Sequence, residues 1–323
     1  MKLKDLELQH APYSIQIEPT EGCNLGCSFC GLRGMREKGT TPWNFMTLKT
    51  AKEIASEIAK ANWPSKIIFA MHGEPTLNSQ LLDIIKIFRS YLPKAIFHLI
   101  TNGYGIVVGV PVSIKERIAN LKEAGINHLL LDNYSDEGDW SKIVKEMDGK
   151  EDIQYLKAGI PMFSDKKEFR ILVVPPIRTE QISLVRNLTN HCGAAFPLDN
   201  KDQHKRCTMP FREMSFRWDG NVALCCDDFR GTYPIGSIFD YEIDALWNHE
   251  RFQAARVMLY NKERSFSPCL GCTNLSMRVG LLPDPTGQKT LPEISDEVRT
   301  LAQSVTKKNQ PLSKIIVKRK WEK

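Results

Sequence analysis

The chain has 323 residues, of which 42% are hydrophobic and 25% are charged, and these values exclude a largely disordered protein and one too short to bury a core. Lys and Arg total 44 against 38 for Asp and Glu, so the net charge is +6, and the segment 306–323 accounts for the whole surplus. The nine cysteines are an odd number, which argues against a framework of paired disulfides.

The amino-terminal half predicts a cytoplasmic protein. Residues 1–14 contain acidic side chains and no continuous apolar stretch, so they do not form a secretory signal. Residues 95–114 carry no formal charge, but Asn102, Pro111 and several glycines favour a buried strand followed by a loop over a membrane span. In the reducing cytoplasm we expect the cysteines to serve in metal binding or catalysis.

Short apolar runs alternate with segments of helical period, the pattern of βα units around a parallel sheet. Strands are predicted at 13–18, 66–71, 95–101, 127–132 and 169–174, with a weaker candidate at 194–198. Helices are predicted from 48 after Thr47 as an N-cap, over 81–92, and over 118–124 before Gly125 as a C-cap. The predicted fold class is therefore α/β, with a partial (β/α)6 barrel similar to an open TIM barrel.

The pattern changes after about residue 200. Asp219-Gly220 between two apolar runs predicts a tight β-hairpin, and a single helix is predicted over 243–259. The proline-rich residues 282–285 indicate an extended strap before the basic tail. We expect a partial barrel at 1–200, a small α+β domain with the hairpin at 201–280, and a strap with a basic tail at 281–323.

Three cysteines follow the first predicted strand. Cys23, Cys27 and Cys30 have the spacing C-x3-C-x2-C, and Gly22 and Gly26 allow the backbone to wrap tightly there. Thiolates placed so closely can hold three irons of a [4Fe-4S] cluster and leave the fourth iron open to a substrate or cofactor. Zinc is the alternative, but zinc ligands usually come as C-x2-C pairs that total four.

This cysteine group resembles the signature of the radical S-adenosylmethionine (SAM) superfamily, which also has an aromatic residue, here Phe29, before the last cysteine. Residues 72–75, His-Gly-Glu-Pro, are similar to the family's Gly-Gly-Glu-Pro motif, with His72 in place of the first glycine. Asn102, in Thr-Asn-Gly after the third predicted strand, also matches the family.

The resemblance implies a reaction and a set of contacts. The methionyl amine and carboxylate of SAM bind the open iron, Gly73, Glu74 and Pro75 hold the amino group, and a 5′-deoxyadenosyl radical abstracts hydrogen from the substrate. Asn133 and Ser135 follow the fourth predicted strand, where the family often places ribose ligands. Arg178 follows the fifth strand and is a candidate partner for a carboxylate. Ordinary loop polarity is the alternative for each of these three residues.

A second group of cysteines lies in the last third of the chain: Cys207, Cys225, Cys226, Cys269 and Cys272. The C-x2-C pair and the hairpin bring four thiolates together, which suits either a structural zinc or an iron-sulfur cluster. An iron-sulfur cluster is favoured over zinc, because the first domain already implies that this chain receives a cluster from the cellular iron-sulfur machinery. The region resembles the SPASM and twitch domains, and this resemblance implies a second [4Fe-4S] cluster on Cys207, Cys225, Cys269 and Cys272, with Cys226 facing away.

Together the two resemblances imply a radical SAM oxidoreductase or transformase. A second cluster closed by four thiolates suits electron transfer, which favours oxidation or rearrangement of a small-molecule or nucleotide-derived substrate. One alternative is an enzyme of the same superfamily that modifies a ribosomal peptide. A second, non-catalytic alternative is an iron-sulfur protein that binds nucleic acid. We expect an electron donor such as flavodoxin or ferredoxin, and an anionic partner for the basic tail.

Cys192 belongs to neither cysteine group. A small buried residue is the simple interpretation. The other is a catalytic thiol that donates hydrogen to a substrate radical.

Overall fold

The computed structural model describes residues 10–32, 43–108, 112–135, 137–157, 165–176, 190–195, 206–274 and 293–304. The strands in these ranges are β1 (Ser14–Ile17), β2 (Thr20–Glu21), β3 (Asn44–Phe45), β4 (Lys66–Phe69), β5 (Phe97–Thr101), β6 (His128–Leu131), β7 (Ile153–Tyr155), β8 (Arg170–Val173), β9 (Glu213–Phe216), β10 (Asn221–Ala223) and β11 (Pro234–Ser237). The helices are α1 (Leu48–Lys60), α2 (Leu81–Tyr91), α3 (Tyr104–Val107), α4 (Ile114–Ala124), α5 (Asp139–Met147), α6 (Met209–Arg212), α7 (Ile243–Trp247), α8 (Glu250–Tyr260) and α9 (Asp296–Gln303). None of these helices has the length and apolar character needed to cross a membrane.

One nine-stranded sheet organises the protein, in the order β11-β10-β9-β1-β4-β5-β6-β8-β7. The strands from β9 to β7 in that order run parallel, while β10 and β11 are antiparallel to their neighbours. The predicted α/β class with a parallel sheet is confirmed. Because the parallel strands end at one edge, the residues that follow them gather there, as in other barrel proteins.

The helices and strands predicted from periodicity form close to the predicted bounds. The Thr47 side chain accepts a hydrogen bond from the Thr50 backbone N–H and so caps α1, and Ala51, Ile54 and Ile58 are buried on one face. Helix α4 ends at Gly125, whose φ of 114° is a left-handed conformation that favours glycine.

Several features differ from the sequence predictions. The helix expected over 243–259 is two helices, because the backbone of His249 is not helical (φ −58°, ψ 140°) and its side chain accepts a hydrogen bond from the Arg251 N–H to cap α8. The weak strand at 194–198 does not form at 194 and 195, which follow a 3-10 turn over His191–Gly193, and its remaining residues lie outside the described residues. Strand β7 and helix α9 were not anticipated, and α9 packs against α8. The 282–285 strap and the basic tail also lie outside the described residues.

The predicted hairpin is present, and it extends the sheet of the barrel. Gly220 in the turn has a φ of 87°, and β10 pairs with β9 in antiparallel register. Strand β9 then pairs in parallel with β1, with Ile17 opposite Phe216. The two regions also share one hydrophobic core, in which the Trp63 and Trp247 rings lie 6.3 Å apart. The region after residue 200 is therefore packed directly on the barrel.

Candidate functional site

A cavity of about 270 Å³ lies where β1, β4, β5 and β6 end. Its wall includes the three cysteines of the first group, together with Gly73, Glu74, Asn102 and Phe29. The structure therefore brings to one place predicted site residues from three separate loops, those after β1, β4 and β5. Pro75 does not line the cavity, but it begins the 3-10 turn Pro75–Leu77 directly after Glu74.

The first cysteine group has the chemistry that an iron-sulfur cluster requires. Cys23, Cys27 and Cys30 are partly exposed to one cavity, and soft thiolate sulfur is the usual ligand of such clusters. The Leu25 N–H donates to Cys23 Sγ at 3.4 Å, and the Asn102 side-chain amide lies 3.6 Å from the same sulfur. Burial raises the pKa of Cys23 to about 12 in the metal-free chain, and the charge of Glu74 adds to this shift. Iron would supply the positive charge that favours the thiolate form.

The Glu74 carboxylate is buried and held by several donors. Its Oε1 accepts from the Thr76 N–H at 3.0 Å and from the hydroxyls of Thr76 and Thr101 at 2.6 and 2.5 Å, while Oε2 accepts from the Asn102 N–H at 2.8 Å. Burial raises the pKa of Glu74, and these hydrogen bonds oppose the shift. The result is an acceptor group fixed in the cavity wall, suited to a ligand ammonium group.

Gly73 is required by a close approach of two backbones. A Cβ atom there would lie 2.2 Å from the Thr20 carbonyl oxygen and 2.4 Å from that of Gly22. The Gly22 N–H donates to the His72 carbonyl at 3.2 Å, and the Glu74 N–H donates to the Gly22 carbonyl at 2.9 Å. The turn that carries Glu74 is thus hydrogen-bonded to the residue that precedes Cys23.

After β6 the cavity wall is formed by Asp132 and Tyr134. Neither of the predicted residues Asn133 and Ser135 lines it, because successive residues of an extended chain face opposite sides, and Ser135 is exposed. Burial raises the pKa of Asp132 to about 8, with a further contribution from the charge of Glu74. The Tyr134 ring packs edge-on against Phe29 with centroids 5.1 Å apart. Arg178 lies outside the described residues.

On its other side the cavity is bounded by residues from the region after 190: His191, Cys226, Asp227 and Phe229. His191 Nδ1 lies 2.8 Å from an oxygen of Asp227, whose second oxygen accepts from the Asn274 side chain. Burial alone would raise the pKa of Asp227, but the contacts with His191 and Asn274 lower it overall. Sequence reasoning missed His191 and Asp227, since neither belongs to a motif, and it assigned Cys226 no role.

The second cysteine group also converges. Burial and the neighbouring thiols of Cys225, Cys207 and Cys272 raise the pKa of Cys269. The Cys272 N–H donates to the Cys269 carbonyl at 3.1 Å, and the buried Arg264 donates to the Cys272 carbonyl at 2.7 Å. Four thiol donors in one place fit a second iron-sulfur cluster. Among the described residues, no three His, Cys, Asp or Glu side chains are arranged around a single metal ion.

Cys192 lies beside this second group rather than on the cavity wall. Its Sγ is 3.6 Å from Cys272 Sγ, and it also contacts the Cys225 thiol. The side chain of Asn190 anchors the segment by donating to the Gly271 carbonyl at 2.8 Å. This position supports a role at the second cysteine group more than the predicted hydrogen donation to a substrate radical.

Two family models match the chain. The model of the Radical SAM superfamily matches residues 17–182, which begin in β1 and contain the first cysteine group. The SPASM model, described as an iron-sulfur cluster-binding domain, matches residues 207–273 and contains all five cysteines of the second group.

Two of the curated proteins with similar sequences differ in how much of this chain they cover. An S-adenosyl-L-methionine-dependent 2-deoxy-scyllo-inosamine dehydrogenase from Niallia circulans is 24% identical over 272 residues, which are 82% of this chain and 94% of that protein. A GTP 3′,8-cyclase from Pectobacterium atrosepticum is 25% identical over 117 residues, which are 36% of this chain and 32% of that protein.

Solved structures of BtrN share the fold. Its complex with AdoMet and 2-DOIA has a TM-score of 0.62 at 21% identity and covers 83% of this chain and 95% of that chain. An open conformation of BtrN has a TM-score of 0.56 at 20% identity and covers 84% of this chain and 96% of that chain.

Proposed function

This chain belongs to the radical SAM superfamily, and we propose that it oxidises an alcohol group of a small polar molecule to a carbonyl. It is an enzyme that uses [4Fe-4S] clusters and SAM. The non-catalytic alternative is therefore wrong. When bound, the first cluster and SAM supply a 5′-deoxyadenosyl radical, which takes a hydrogen atom from the substrate. Cys23, Cys27 and Cys30 are the proposed ligands of the first cluster, and Cys207, Cys225, Cys269 and Cys272 those of the second.

The observation that supports alcohol oxidation is the position of the cavity between the two cysteine groups. One side of its wall carries Cys23, Cys27 and Cys30, and the other carries Cys226 and Asp227, which directly follow Cys225. Oxidation of an alcohol removes a hydrogen atom from carbon, a proton from oxygen and one further electron. A substrate in this cavity lies close to both the source of the radical and a group suited to accept the electron.

The wall also offers a proton acceptor. We assign the hydroxyl proton to His191, because the ring lies in the cavity wall and Asp227, at 2.8 Å from Nδ1, orients it. Asp132 and Tyr134 supply further polar contacts for a hydroxylated molecule. A dehydrogenase acting on 2-deoxy-scyllo-inosamine, a small cyclic molecule, is among the curated relatives, which supports this substrate class.

The proposal includes a reduced flavodoxin or ferredoxin as electron donor, because each cleavage of SAM consumes one electron. The anionic partner of the basic segment 306–323 stays a prediction, since that segment lies outside the described residues. A cytoplasmic location also stays a prediction of the cysteine content.

An anaerobic assay tests the function. Reconstituted protein, dithionite and SAM are incubated with 2-deoxy-scyllo-inosamine, related aminocyclitols carrying deuterium on each carbinol carbon, or a ribosomal peptide panel. Mass spectrometry should show deuterium in 5′-deoxyadenosine and a ketone product from an aminocyclitol. Formation of a modified peptide, or of 5′-deoxyadenosine with no oxidised product from any aminocyclitol, contradicts the proposal.

The role of the second cysteine group is tested in the same assay. Replacement of Cys269 and Cys272 by Ala should abolish the ketone while 5′-deoxyadenosine still forms. Undiminished ketone formation by this double variant would contradict electron transfer to the second group.

A further inference from the structure

His72 occupies the position where the family motif has its first glycine, and it lies between the two loops that carry the cysteine groups. Its carbonyl oxygen accepts from the N–H of Gly22, the residue before Cys23. Its side-chain Nε2 lies 2.8 Å from the carbonyl oxygen of Cys226, the residue after Cys225. A single buried residue therefore contacts a direct neighbour of a predicted ligand in each group.

The order of the strands explains this position. Strand β1 has β9 on one side and β4 on the other, and all three run parallel. Arg217 follows β9, Glu18 follows β1, and His72 comes three residues after the end of β4. These side chains consequently meet at the carboxyl edge of the sheet.

Glu18 fixes the imidazole from the other side. Its buried Oε1 lies 2.7 Å from His72 Nδ1, and its Oε2 accepts from the Trp218 N–H at 3.1 Å. Arg217 Nε lies 3.7 Å from the same Oε2. Burial acts to raise the pKa of Glu18, but His72, Arg217 and the Trp218 N–H outweigh it and lower the pKa. Glu18 is therefore a buried anion facing the imidazole.

The ring of His72 is held at three points. A carbonyl oxygen only accepts hydrogen bonds, so Nε2 donates to Cys226, while Nδ1 is in close contact with Glu18 Oε1 without a hydrogen bond. The ring itself packs against Phe229 with centroids 4.3 Å apart. Glycine at this position could make none of these contacts, so this chain has a connection between the two loops that the family motif does not provide.

We propose that His72 is a positioning residue that holds the Gly73–Glu74 turn and the Cys225–Cys226 turn in one fixed arrangement, and thereby couples the SAM site to the second cysteine group. The inference goes beyond the proposed function and needs no substrate. It holds or fails whichever molecule the enzyme oxidises.

Two His72 variants separate this role from simple packing. His72→Phe keeps a ring against Phe229 and removes both nitrogens, whereas His72→Gln keeps an N–H donor for the Cys226 carbonyl. His98→Gln is the matched control, because His98 is also fully buried and contacts His128 within the barrel. Each reconstituted protein is measured for its SAM dissociation constant and its melting temperature. The EPR spectrum of the reduced second cluster is recorded in a background with Cys23, Cys27 and Cys30 replaced by Ala.

His72→Phe should raise the SAM dissociation constant about tenfold, because it leaves the buried Cys226 carbonyl without its donor and Glu18 Oε1 without the imidazole. It should also change the EPR spectrum of the second cluster. His72→Gln should restore most of both properties. His98→Gln should lower only the melting temperature.

The proposal is overturned if His72→Phe changes only one of the two measured properties, the SAM dissociation constant and the EPR spectrum of the second cluster, or changes neither. It is also overturned if both properties are as strongly altered in His72→Gln as in His72→Phe. If His72→Phe fails to load iron, Glu18→Gln decides, because it keeps the side-chain shape and removes the charge beside Nδ1. A variant Glu18→Gln with unchanged SAM affinity and an unchanged EPR spectrum also overturns the proposal.

Discussion

Replacement of Gly73 by Ala is a direct test of how the SAM-binding turn is built. The added methyl group would lie 2.2 Å from the Thr20 carbonyl oxygen, 2.4 Å from the Gly22 carbonyl oxygen and 2.8 Å from the Gly22 nitrogen. All three atoms belong to the backbone, so no side chain can turn aside to make room. The turn carrying Glu74 must therefore move away from the loop carrying Cys23.

The magnitude follows from the hydrogen bonds that this movement breaks. The Gly22 N–H bond to the His72 carbonyl and the Glu74 N–H bond to the Gly22 carbonyl, at 3.2 and 2.9 Å, are both lost. At roughly 1 kcal/mol each, they amount to about 2 kcal/mol, which corresponds to a roughly 30-fold weaker affinity for SAM.

Gly149→Ala is the matched control. Gly149 has a φ of 70°, so alanine there adopts an unfavourable left-handed conformation, but its Cβ would meet no atom within 4 Å. This variant should lose about 1 kcal/mol of unfolding free energy and bind SAM normally. Equilibrium dialysis gives the dissociation constants of the reconstituted proteins, and urea unfolding gives the stabilities. The reasoning is refuted if Gly73→Ala binds SAM within twofold of the unmodified protein, or if Gly149→Ala weakens SAM binding equally.

Three further predictions concern buried or partly buried side chains. Burial, with the charges of His128 and Lys66, lowers the pKa of His98 to about 2, so the unfolded chain binds a proton that the folded chain excludes. The contribution of His98 to the free energy of unfolding should therefore be fully present above about pH 6.5 and decrease below it, by about 1 kcal/mol between pH 7 and 5.5. Urea unfolding should show a weaker pH dependence of this free energy in His98→Leu. Cys192→Ala should retain the second cluster, measured as iron content and visible absorbance, whereas Cys272→Ala should lose it; equal loss in both would make Cys192 a ligand. The Asp228 carboxylate accepts hydrogen bonds from the N–H groups of Thr232 and Tyr233, each at 2.9 Å. Asp228→Asn places an amide NH2 group against one of these donors, so it should lower the free energy of unfolding by about 2 kcal/mol. A loss below about 0.5 kcal/mol would contradict this prediction.

The sequence predicts those parts of the site that depend on local spacing. Cys23, Cys27 and Cys30 lie within eight residues, and a loop of that length can bring them to one cavity whatever the surrounding fold does. Gly73 and Glu74 are predictable for a related reason, because they lie in the loop after a strand and the ends of parallel strands share an edge.

The sequence did not indicate which residues after β6 face the cavity. All four residues of β6 are buried, because a strand in the middle of a parallel sheet is covered on both faces. No alternation of polar and apolar residues therefore indicates which of Asp132, Asn133, Tyr134 and Ser135 face the cavity. The break between α7 and α8 was missed for a different reason, since apolar residues continue at helical spacing through His249, while the cap that separates the helices depends on one side-chain hydrogen bond.

Buried charges, rather than apolar pattern, select the pairing of β9 with β1. All four residues of β9 are buried, so both faces of the strand are covered. A shift of β9 by one residue relative to β1 would exchange these two faces without exposing an apolar side chain to solvent. Arg217 contacts both Glu18 and Glu21 of the barrel. A shifted register would remove the arginine from both, which would leave the buried Glu21 without its cation and Glu18 with His72 alone, at a cost of several kcal/mol. Because β9 leads into the hairpin that carries Cys225, these charges also determine where the second cysteine group lies relative to His72 and the SAM-binding turn.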